Sequence, residues 1–184
     1  MRLVVIRHGQ TEWNREQRLQ GWQDSKLTSQ ARAHLATMPL PIMANPVVIS
    51  SDLGRAVQTA AIIARRLECD VITDARLRER QFGLFEGKVI DCQRGLAGSA
   101  WRDYHARHRI PLGDRYQVEP EPIFESRIIE FTASLRAQYD QQDVLLVSHG
   151  EWIRAFYNIQ SGTPSWQLGQ GIEANARPII FDLR

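Results

Sequence analysis

Two histidines are candidate catalytic residues, because each follows a short apolar run. His8 follows residues 3–6 and lies beside Arg7, and His149 comes just after residues 144–147. Continuous apolar runs of this length predict buried strands of a parallel sheet, whose carboxyl ends line the crevice where open α/β folds bind ligands. Arg7 and the two histidines are therefore expected to face one pocket, in which arginine binds an anion and neutral histidine serves as nucleophile.

Arg55 and Glu79 complete a set of side chains that suits phosphate chemistry. Arg55 lies near the start of a helix that follows a predicted buried strand at 47–51, and Glu79 comes after a short strand at 71–73, which is also expected to be buried. Arginine donors around a phosphomonoester offset the negative charge that repels an incoming nucleophile. Glu79, with its pKa raised by partial burial, can protonate the leaving alkoxide and afterwards activate water.

Each of these residues, taken alone, also has a structural explanation. Arg55 suits a solvated helix side chain, Glu79 a surface ion-pair network, and His149 a buried structural histidine. Their joint placement favours catalysis, with His149 as a donor to the transferring oxygens. Neutral His8 would attack phosphorus through one ring nitrogen while a backbone carbonyl, such as that of Gly9, holds the other. The nearby arginines favour that neutral form.

Strand and helix patterns alternate along the chain and predict the fold that positions these residues. The predicted strands are 3–6, 47–51, 71–73, 144–147 and 178–183, and the predicted helices are 28–38, 53–67, 124–139 and 152–159. Ser51 or Asp52 is expected to cap the second helix. The alternation predicts an α/β protein, a three-layer α/β/α sandwich with a mostly parallel central sheet. The irregular stretch at about 84–142 is interpreted as an inserted lid segment within a single domain spanning 1–184.

Composition restricts the class of protein. The 184 residues suit one domain, and the net charge of +2 is too small to indicate a nucleic-acid or membrane partner. Cys69 and Cys92 are isolated, so neither a zinc site nor a disulfide framework is indicated. Of the 23 basic residues only Lys26 and Lys88 are lysines, which suits phosphate binding but is equally explained by genomic base composition. Because no signal peptide or membrane-length apolar run is recognised, a cytoplasmic location is expected.

Four motifs in matching order resemble the histidine phosphatase superfamily, in its phosphoglycerate mutase-like branch. They cover residues 7–14, 51–60, 77–87 and 147–150, and the likeness runs from residue 1 to about 159. The resemblance implies a phosphohistidine intermediate on His8, with Glu79 as general acid and base. It also implies that Arg7, Arg55 and His149 bind the phosphoryl group.

The resemblance extends to the loop after the first strand. Asn14, Gln20 and Gly21 fall there at positions that contact phosphate or substrate in the family, and no metal ion or organic cofactor is implied. The lid departs from the family pattern, because the usual Gly-Glu-Ser stretch ahead of its last helix is replaced by residues 113–116 and 120–122. Members of the family build their substrate pocket from this lid, so the resemblance does not name the substrate.

The length of the lid favours hydrolysis over phosphoryl transfer within the substrate. A mutase must shield its phosphohistidine from water under a more enclosing lid, and both lid and C-terminal tail are shorter here than in cofactor-dependent mutases. The predicted substrate is a small phosphorylated metabolite, since the lid is longer than in the family members that dephosphorylate phosphohistidine in proteins. Phosphoglycerate mutase is the alternative.

Basic and aromatic residues of the lid are candidates for contact with an acidic substrate. They are Trp101, Arg102, Tyr104, Arg107, Arg109 and Arg115. Arg102 in particular is predicted to bind substrate, although a solvated arginine-rich helix face explains the same pattern.

Two interpretations from other classes remain open. One is a catalytically silent phospholigand-binding protein, which retention of the five core residues disfavours. The other is nucleic-acid binding by residues 102–115, which the near-neutral charge and the interspersed Asp103 and Asp114 disfavour. The sequence also leaves a homodimer open, because Trp166 suits either an interface or internal packing.

Overall fold

Five strands form the central layer of the fold. In the computed structural model, which describes residues 2–139 and 141–182, they are β1 (Arg2–Arg7), β2 (Val47–Ser50), β3 (Val71–Thr73), β4 (Val144–Ser148) and β5 (Pro178–Asp182). The sheet order is β3-β2-β4-β1-β5, with β5 antiparallel to β1 and all other pairs parallel. The prediction of a mostly parallel sheet is confirmed. The predicted end of the last strand, Leu183, lies outside the described residues.

The described residues form six helices: α1 (Glu12–Arg15), α2 (Ser29–Thr37), α3 (Gly54–Leu67), α4 (Gly98–Ala106), α5 (Glu121–Gln138) and α6 (Gly150–Gln160). Of these, α2 and α3 cover one face of the sheet and α5 and α6 cover the other, whereas α4 belongs to the lid. Successive residues of β1 point to opposite layers: Leu3 and Val5 belong to the core formed with α5 and α6, and Val4 and Ile6 to the core formed with α2 and α3. The central strands read as continuous apolar runs because both of their faces are covered.

The three-layer sandwich is thereby confirmed. No helix within residues 2–139 and 141–182 is both long and apolar enough to cross a bilayer.

The expectation of a buried third strand is wrong. β3 lies at an edge of the sheet, where it pairs with β2 on one side, and Ile72 is 45% exposed. β3 pairs with one strand only, and its last two residues, Ile72 and Thr73, are exposed while Val71 is partly buried. Glu79 reaches the site only after a further 3-10 turn, Ala75–Leu77.

The start of α3 is not capped by Ser51 or Asp52, as the sequence suggested. Its N-cap residue is Leu53, which forms no side-chain cap. A carboxylate from elsewhere in the chain takes this role, since Asp24 Oδ1 accepts the backbone N–H of Arg55 at 3.1 Å. Ser51 and Asp52 instead hydrogen-bond to side chains from later in the sequence.

The lid segment is more regular than the sequence indicated. It contains α4 and two 3-10 turns, Gly83–Phe85 and Gly113–Tyr116, while its last part, α5, packs on the sheet with the main core. Trp101 and Tyr104 are three residues apart on α4 and place their rings 5.3 and 5.5 Å from the ring of Phe85. This aromatic cluster gives the lid a small core of its own.

Gly83 joins two parts of the lid at a close backbone approach, which leads to a stability prediction. Its φ is +52°, and a Cβ would lie 2.2 Å from the carbonyl oxygen of Tyr116. Gly113 also has a positive φ, +63°, but no described atom lies within 4 Å of a Cβ placed there. We expect Gly83→Ala to lower the free energy of unfolding by about 1–3 kcal/mol more than Gly113→Ala, which carries only the backbone strain.

Urea denaturation of both variants measures this difference. An equal decrease in the free energy of unfolding for Gly83→Ala and Gly113→Ala would show that the segment 116–117 relaxes away from the methyl group added at Gly83.

Candidate active site

The site lies at the carboxyl edge of the sheet, where the two central strands end side by side. In the β1–β4 register Arg7 pairs with Ser148, and the backbone N–H of His8 donates to the carbonyl of Ser148 at 2.9 Å. The next residues, His8 and His149, bring their ring centroids to 5.2 Å. The parallel pairing of two strands that each end in a histidine therefore assembles the pair, as predicted.

Hydrogen bonds fix both the orientation and the tautomer of His8. Nδ1 lies 2.8 Å from the carbonyl oxygen of Gly9, as predicted from the sequence, and Nε2 lies 3.2 Å from Nε of Arg55. A carbonyl oxygen can only accept, so Nδ1 carries the proton and Nε2 keeps its lone pair. Burial holds the pKa of His8 well below its ordinary value, and the charges of Arg55 and Arg7 lower it further. His8 is thus a neutral imidazole, and the electron pair on its Nε2 accepts a hydrogen bond from the Nε–H of Arg55.

Arg55 is fixed by backbone carbonyls of the loop after β1. Its Nη2 donates to Gly21 and its Nη1 to Gln23, both at 2.8 Å, and Nη1 also lies 3.2 Å from Asp24 Oδ1. The side chain is 1% exposed. A guanidinium held at several donors presents a rigid cation beside His8, which suits binding of a phosphoryl group.

A second contact locks the turn after His8. The backbone N–H of Gly9 donates to Thr59 Oγ1 at 2.9 Å, and that hydroxyl donates to the carbonyl of Arg55 at 2.7 Å. Thr59 therefore links the turn after β1 to the N-terminal half of α3. This fixes the nucleophile relative to the arginine that holds its anion.

The segment before β5 fixes Arg7 from the other side. Nη1 of Arg7 donates to the carbonyl of Glu173 at 2.8 Å, and the side-chain amide of Asn175 donates to the carbonyl of His8 at 2.8 Å. Nε of Arg7 is buried and has no hydrogen-bond partner among the described residues. Burial lowers the pKa of Arg7, but arginine stays protonated at physiological pH, so it remains a cation with donor capacity for an anion. The sequence showed no sign of this segment's role.

His149 was expected to face the pocket with His8, but it is fully buried beside His8 and does not line the cavity. Its Nε2 lies 2.8 Å from the hydroxyl of Ser51, and its Nδ1 is buried without a partner in the described part of the chain. Burial lowers the pKa of His149 well below its usual range, and the charge of Arg55 adds to this effect. Its role as a donor to the phosphoryl group remains a prediction.

Glu79 lies at the N-terminus of α6. Its Oε1 accepts the backbone N–H groups of Arg80 at 3.0 Å and Trp152 at 3.2 Å, and Oε2 accepts that of Glu151 at 3.2 Å. Burial raises the pKa of Glu79 above its ordinary value, and the nearby carboxylate of Glu151 raises it further. The backbone donors and Arg55 oppose this rise in part. The sequence-based expectation of a raised pKa is confirmed, which suits a group that alternates between acid and base.

A cavity of about 440 Å³ opens over these groups. Seven of the predicted site residues line it: Arg7, His8, Asn14, Gln20, Gly21, Arg55 and Glu79. The amide oxygen of Asn14 accepts the backbone N–H of Thr11 at 3.0 Å, which leaves its NH₂ group for a ligand. Gly21 has a φ of +53°, and a Cβ would lie 2.0 Å from Glu86 Oε1. This loop can carry no side chain at Gly21 without displacing Glu86.

Arg102 does not line this cavity, so the structure does not place it where the sequence predicted contact with the substrate. It is exposed, whereas its neighbour Trp101 and Tyr104 on the same helix are buried. The aromatic cluster orients α4, and the helical period then turns Arg102 outward. Tyr104 and Arg107 line the cavity instead, while Arg109 and Arg115 are exposed.

Glu151 is the most prominent cavity residue that the sequence analysis missed. It is 5% exposed and accepts hydrogen bonds from the guanidinium groups of Arg107 and Arg154, with nearest distances of 2.9 and 2.8 Å. A charged residue directly after the second histidine motif, three positions before Arg154 in a largely apolar helix, was the available signal. Among the described residues no group of three side chains is arranged to hold a metal ion.

Comparisons with known proteins identify the family of this chain. The chain belongs to the histidine phosphatase superfamily, since the family's branch 1 matches residues 3–182. The resemblance to this superfamily that the four sequence motifs indicated is confirmed. A Proteus mirabilis protein called "Probable phosphoglycerate mutase GpmB" is 36% identical over 172 residues, which cover 90% of this chain and 77% of that protein.

Solved structures share the whole fold. Bacillus stearothermophilus YhfR has a TM-score of 0.86 and 28% identity, covering 100% of this chain and 91% of its own. A mycobacterial glucosyl-3-phosphoglycerate phosphatase in complex with VO3 has a TM-score of 0.80 and 27% identity. The match covers 97% of this chain and 91% of the mycobacterial chain. An alpha-ribazole phosphatase from Shigella flexneri, 24% identical with a TM-score of 0.82 and coverage of 100% and 91%, shows the same fold.

Proposed function

We propose that this protein is a phosphatase that hydrolyses small phosphomonoesters through a phosphohistidine on His8. The observation that carries the proposal is the state of His8, whose Nδ1–H is held by Gly9 while Nε2 keeps its electron pair beside Arg55 in an open cavity. The phosphatase named among the solved relatives supports hydrolysis.

The first half of the reaction transfers the phosphoryl group to the enzyme. The electron pair of His8 Nε2 forms a bond to phosphorus, and the bond between phosphorus and the ester oxygen breaks. Glu79, kept protonated to a higher pH by its burial, gives its proton to the leaving alkoxide. Arg7 and Arg55 bind the phosphoryl oxygens and offset the charge that develops on them. The alcohol then leaves the cavity.

The second half restores the enzyme. Glu79, now a carboxylate, takes a proton from water as the water oxygen bonds to phosphorus, and the phosphorus–nitrogen bond breaks. The products are inorganic phosphate, neutral His8 and protonated Glu79. No further group is consumed, so the cycle balances with water as the only co-substrate.

The size and position of the cavity support a small substrate. A volume of about 440 Å³ suits a phosphate with a small alcohol group. Asn14, Gln20 and Gly21, which line this cavity, are proposed to contact the substrate. The name of the Proteus mirabilis relative supports a second candidate, phosphoglycerate mutase, which would use the same phosphohistidine but return the phosphoryl group to the substrate.

A panel of phosphomonoesters distinguishes these functions. We would measure phosphate release by wild type and by His8→Ala, with 3-phosphoglycerate tested in the presence and absence of its 2,3-bisphosphate. Release that disappears in the variant supports the phosphatase. Isomerisation of phosphoglycerate without net release would establish the mutase, and the absence of both activities would support a phospholigand-binding protein.

A further inference from the structure

The segment that carries Glu79 has no regular secondary structure. It follows the 3-10 turn Ala75–Leu77, and residues 78–82 belong to neither a helix nor a strand. The carbonyl oxygens of such a segment are not paired by a helix or a sheet, so other groups must satisfy them. The position of Glu79 therefore depends on side chains from other parts of the chain.

Arg127 of α5 provides much of this support. Its Nη1 donates to the carbonyl oxygens of Arg76 and Arg78 at 2.8 and 2.6 Å, and its Nη2 donates to that of Glu79 at 2.9 Å. Its Nε and Nη2 also donate to the two carboxylate oxygens of Glu119, at 2.8 and 2.9 Å. All five N–H donors of the guanidinium are thus used, which fixes its plane and position.

Glu119 binds the next part of the same segment. Its Oε2 accepts the backbone N–H of Gln81 at 3.2 Å, and its backbone carbonyl accepts Nη2 of Arg80 at 2.9 Å. The side chains of Arg127 and Glu119 are only 13% and 7% exposed. Hydrogen bonds to charged groups are strong where water is largely excluded, so this pair holds the segment firmly against α5.

Two further sets of donors hold Glu79 from other directions. Its carbonyl oxygen accepts the indole N–H of Trp22 at 2.8 Å in addition to Nη2 of Arg127, so both lone pairs of this oxygen are used. Its carboxylate accepts the backbone N–H groups of residues 151 and 152 at the start of α6. The peptide of Glu79 is therefore fixed by one helix and its carboxylate by another.

Arg127 is separate from the groups proposed to bind the phosphoryl group. Among the described residues, its hydrogen bonds go to Glu119 and to the carbonyls at 76, 78 and 79, and it is not part of the cavity lining. His8 is held instead by the carbonyl of Gly9, and Arg55 by backbone carbonyls of the loop after β1. Loss of Arg127 should therefore displace Glu79 and leave His8 and Arg55 in place.

We propose that Arg127 is a positioning residue for the general acid, because it places Glu79 through the peptide from which the catalytic carboxylate extends. The proposal rests on the proposed phosphatase function, in which Glu79 protonates the leaving alkoxide and then takes a proton from water. Both proton transfers require the carboxyl group within hydrogen-bond reach of the reacting oxygen. A displacement of about 1 Å can lower the rate of such a step about a hundredfold.

Arg127→Met tests the proposal. Methionine keeps an apolar chain over the ring of Phe124, which lies 4.7 Å from the guanidinium carbon, and removes every donor. Phosphorylation of the enzyme by a ³²P-labelled alkyl phosphate, measured by rapid quench in a single turnover, should slow about ten- to a hundredfold. The burst of p-nitrophenol from p-nitrophenyl phosphate should keep its rate constant within about twofold, because p-nitrophenolate leaves without a proton.

A binding measurement shows whether the rest of the site is intact. The inhibition constant of inorganic phosphate should change less than about twofold in Arg127→Met, since His8, Arg7 and Arg55 are held by other contacts. A general loss of structure would weaken phosphate binding together with the rate.

A double-mutant cycle separates positioning of Glu79 from any other effect of Arg127. In the Glu79→Gln background there is no acid to place, so the addition of Arg127→Met should slow phosphorylation by the alkyl ester less than about twofold further. An effect that does not act through Glu79 would instead multiply the loss by the same factor as in wild type.

Arg66→Met is the matched control. Arg66 of α3 also donates to backbone carbonyls, those of Leu35 and Met38 at 2.8 and 2.7 Å, and it does not line the cavity. Its replacement should lower the free energy of unfolding and leave the ratio of alkyl to aryl phosphorylation rates unchanged. Arg127→Lys retains the charge but has fewer donors, so it should show a smaller loss of the same kind. This variant keeps the test valid if Arg127→Met does not fold.

The outcomes separate the proposal from the function on which it rests. Equal slowing of alkyl and aryl phosphorylation, weaker binding of phosphate, or multiplied losses in the cycle would overturn the role of Arg127 and leave the phosphatase intact. Unchanged phosphorylation by the alkyl ester in a folded Arg127→Met variant would do the same. Failure of wild type to release phosphate from any ester of the panel would overturn the proposed function itself.

Discussion

Replacement of His8 by asparagine is expected to abolish phosphate release, with a loss of roughly a thousandfold or more. Asparagine can place its amide near Gly9 and Arg55, so the hydrogen bonds of the turn are largely kept. It has no nitrogen electron pair that can attack phosphorus, and the phosphoenzyme therefore cannot form. Steady-state phosphate release from the best ester of the panel measures the loss.

A second measurement reports the intermediate directly. Wild type quenched during turnover of a ³²P-labelled ester should carry acid-labile, base-stable label, as a phosphohistidine does, and His8→Asn should carry none. His34→Asn is the matched control, because His34 is exposed on α2 and does not line the cavity. Label that persists in His8→Asn at the wild-type level would assign the nucleophile to another residue.

Glu79→Gln should have the next largest effect, and its size should depend on the leaving group. Loss of a general acid costs about 10²–10⁴-fold for alkyl phosphates, whose alkoxides must be protonated as they leave. p-Nitrophenolate needs no proton, so the first half of the reaction with p-nitrophenyl phosphate should be nearly unchanged. The second half still lacks its base, so this substrate should give a burst of one p-nitrophenol per enzyme followed by slow turnover.

The pH dependence follows from the same residue. The pKa of Glu79 is raised by burial and by Glu151, so the protonated acid persists to higher pH than for an ordinary glutamate. Phosphorylation by an alkyl phosphate should fall as pH rises through this pKa, because the proton for the leaving group is lost. Glu79→Gln should lack that dependence. The first half of the reaction with p-nitrophenyl phosphate should lack it in wild type as well.

Two comparisons make the Glu79 prediction decisive. Glu130→Gln is the matched control, since Glu130 is an exposed glutamate on α5. Circular dichroism of Glu79→Gln checks that the backbone donors at the start of α6 tolerate an amide. An equal loss for alkyl and aryl esters, without a burst, would exclude Glu79 as the leaving-group acid.

Much of this site was predictable because its residues are tied to local patterns. Arg7 and His8 follow one buried strand and His149 another, and parallel strands place their carboxyl ends at one edge. The contact of His8 Nδ1 with the Gly9 carbonyl joins neighbours in the chain, so the backbone alone brings it within reach. The role given to Glu79 required a pKa raised by partial burial, and burial does raise it.

The errors of prediction arose where position depends on packing. Arg102 was placed in the pocket by composition, but the aromatic cluster around Trp101 and Tyr104 orients α4 and turns Arg102 to solvent. β3 was expected to be buried, yet its place at the sheet edge exposes Ile72. Neither the rotation of a helix on its support nor the order of strands follows from local periodicity.

The sequence by itself determined the family, the central sheet and the five residues expected to carry out the chemistry, because apolar periodicity and short motifs are local properties. Only the tertiary structure decided how those residues are held. The contacts that do so join Asp24 to Arg55 across 31 positions, Arg107 to Glu151 across 44, and Arg7 to Glu173 across 166. Such pairs leave no pattern along the chain, since a buried charge selects its partner only by the distance that folding imposes.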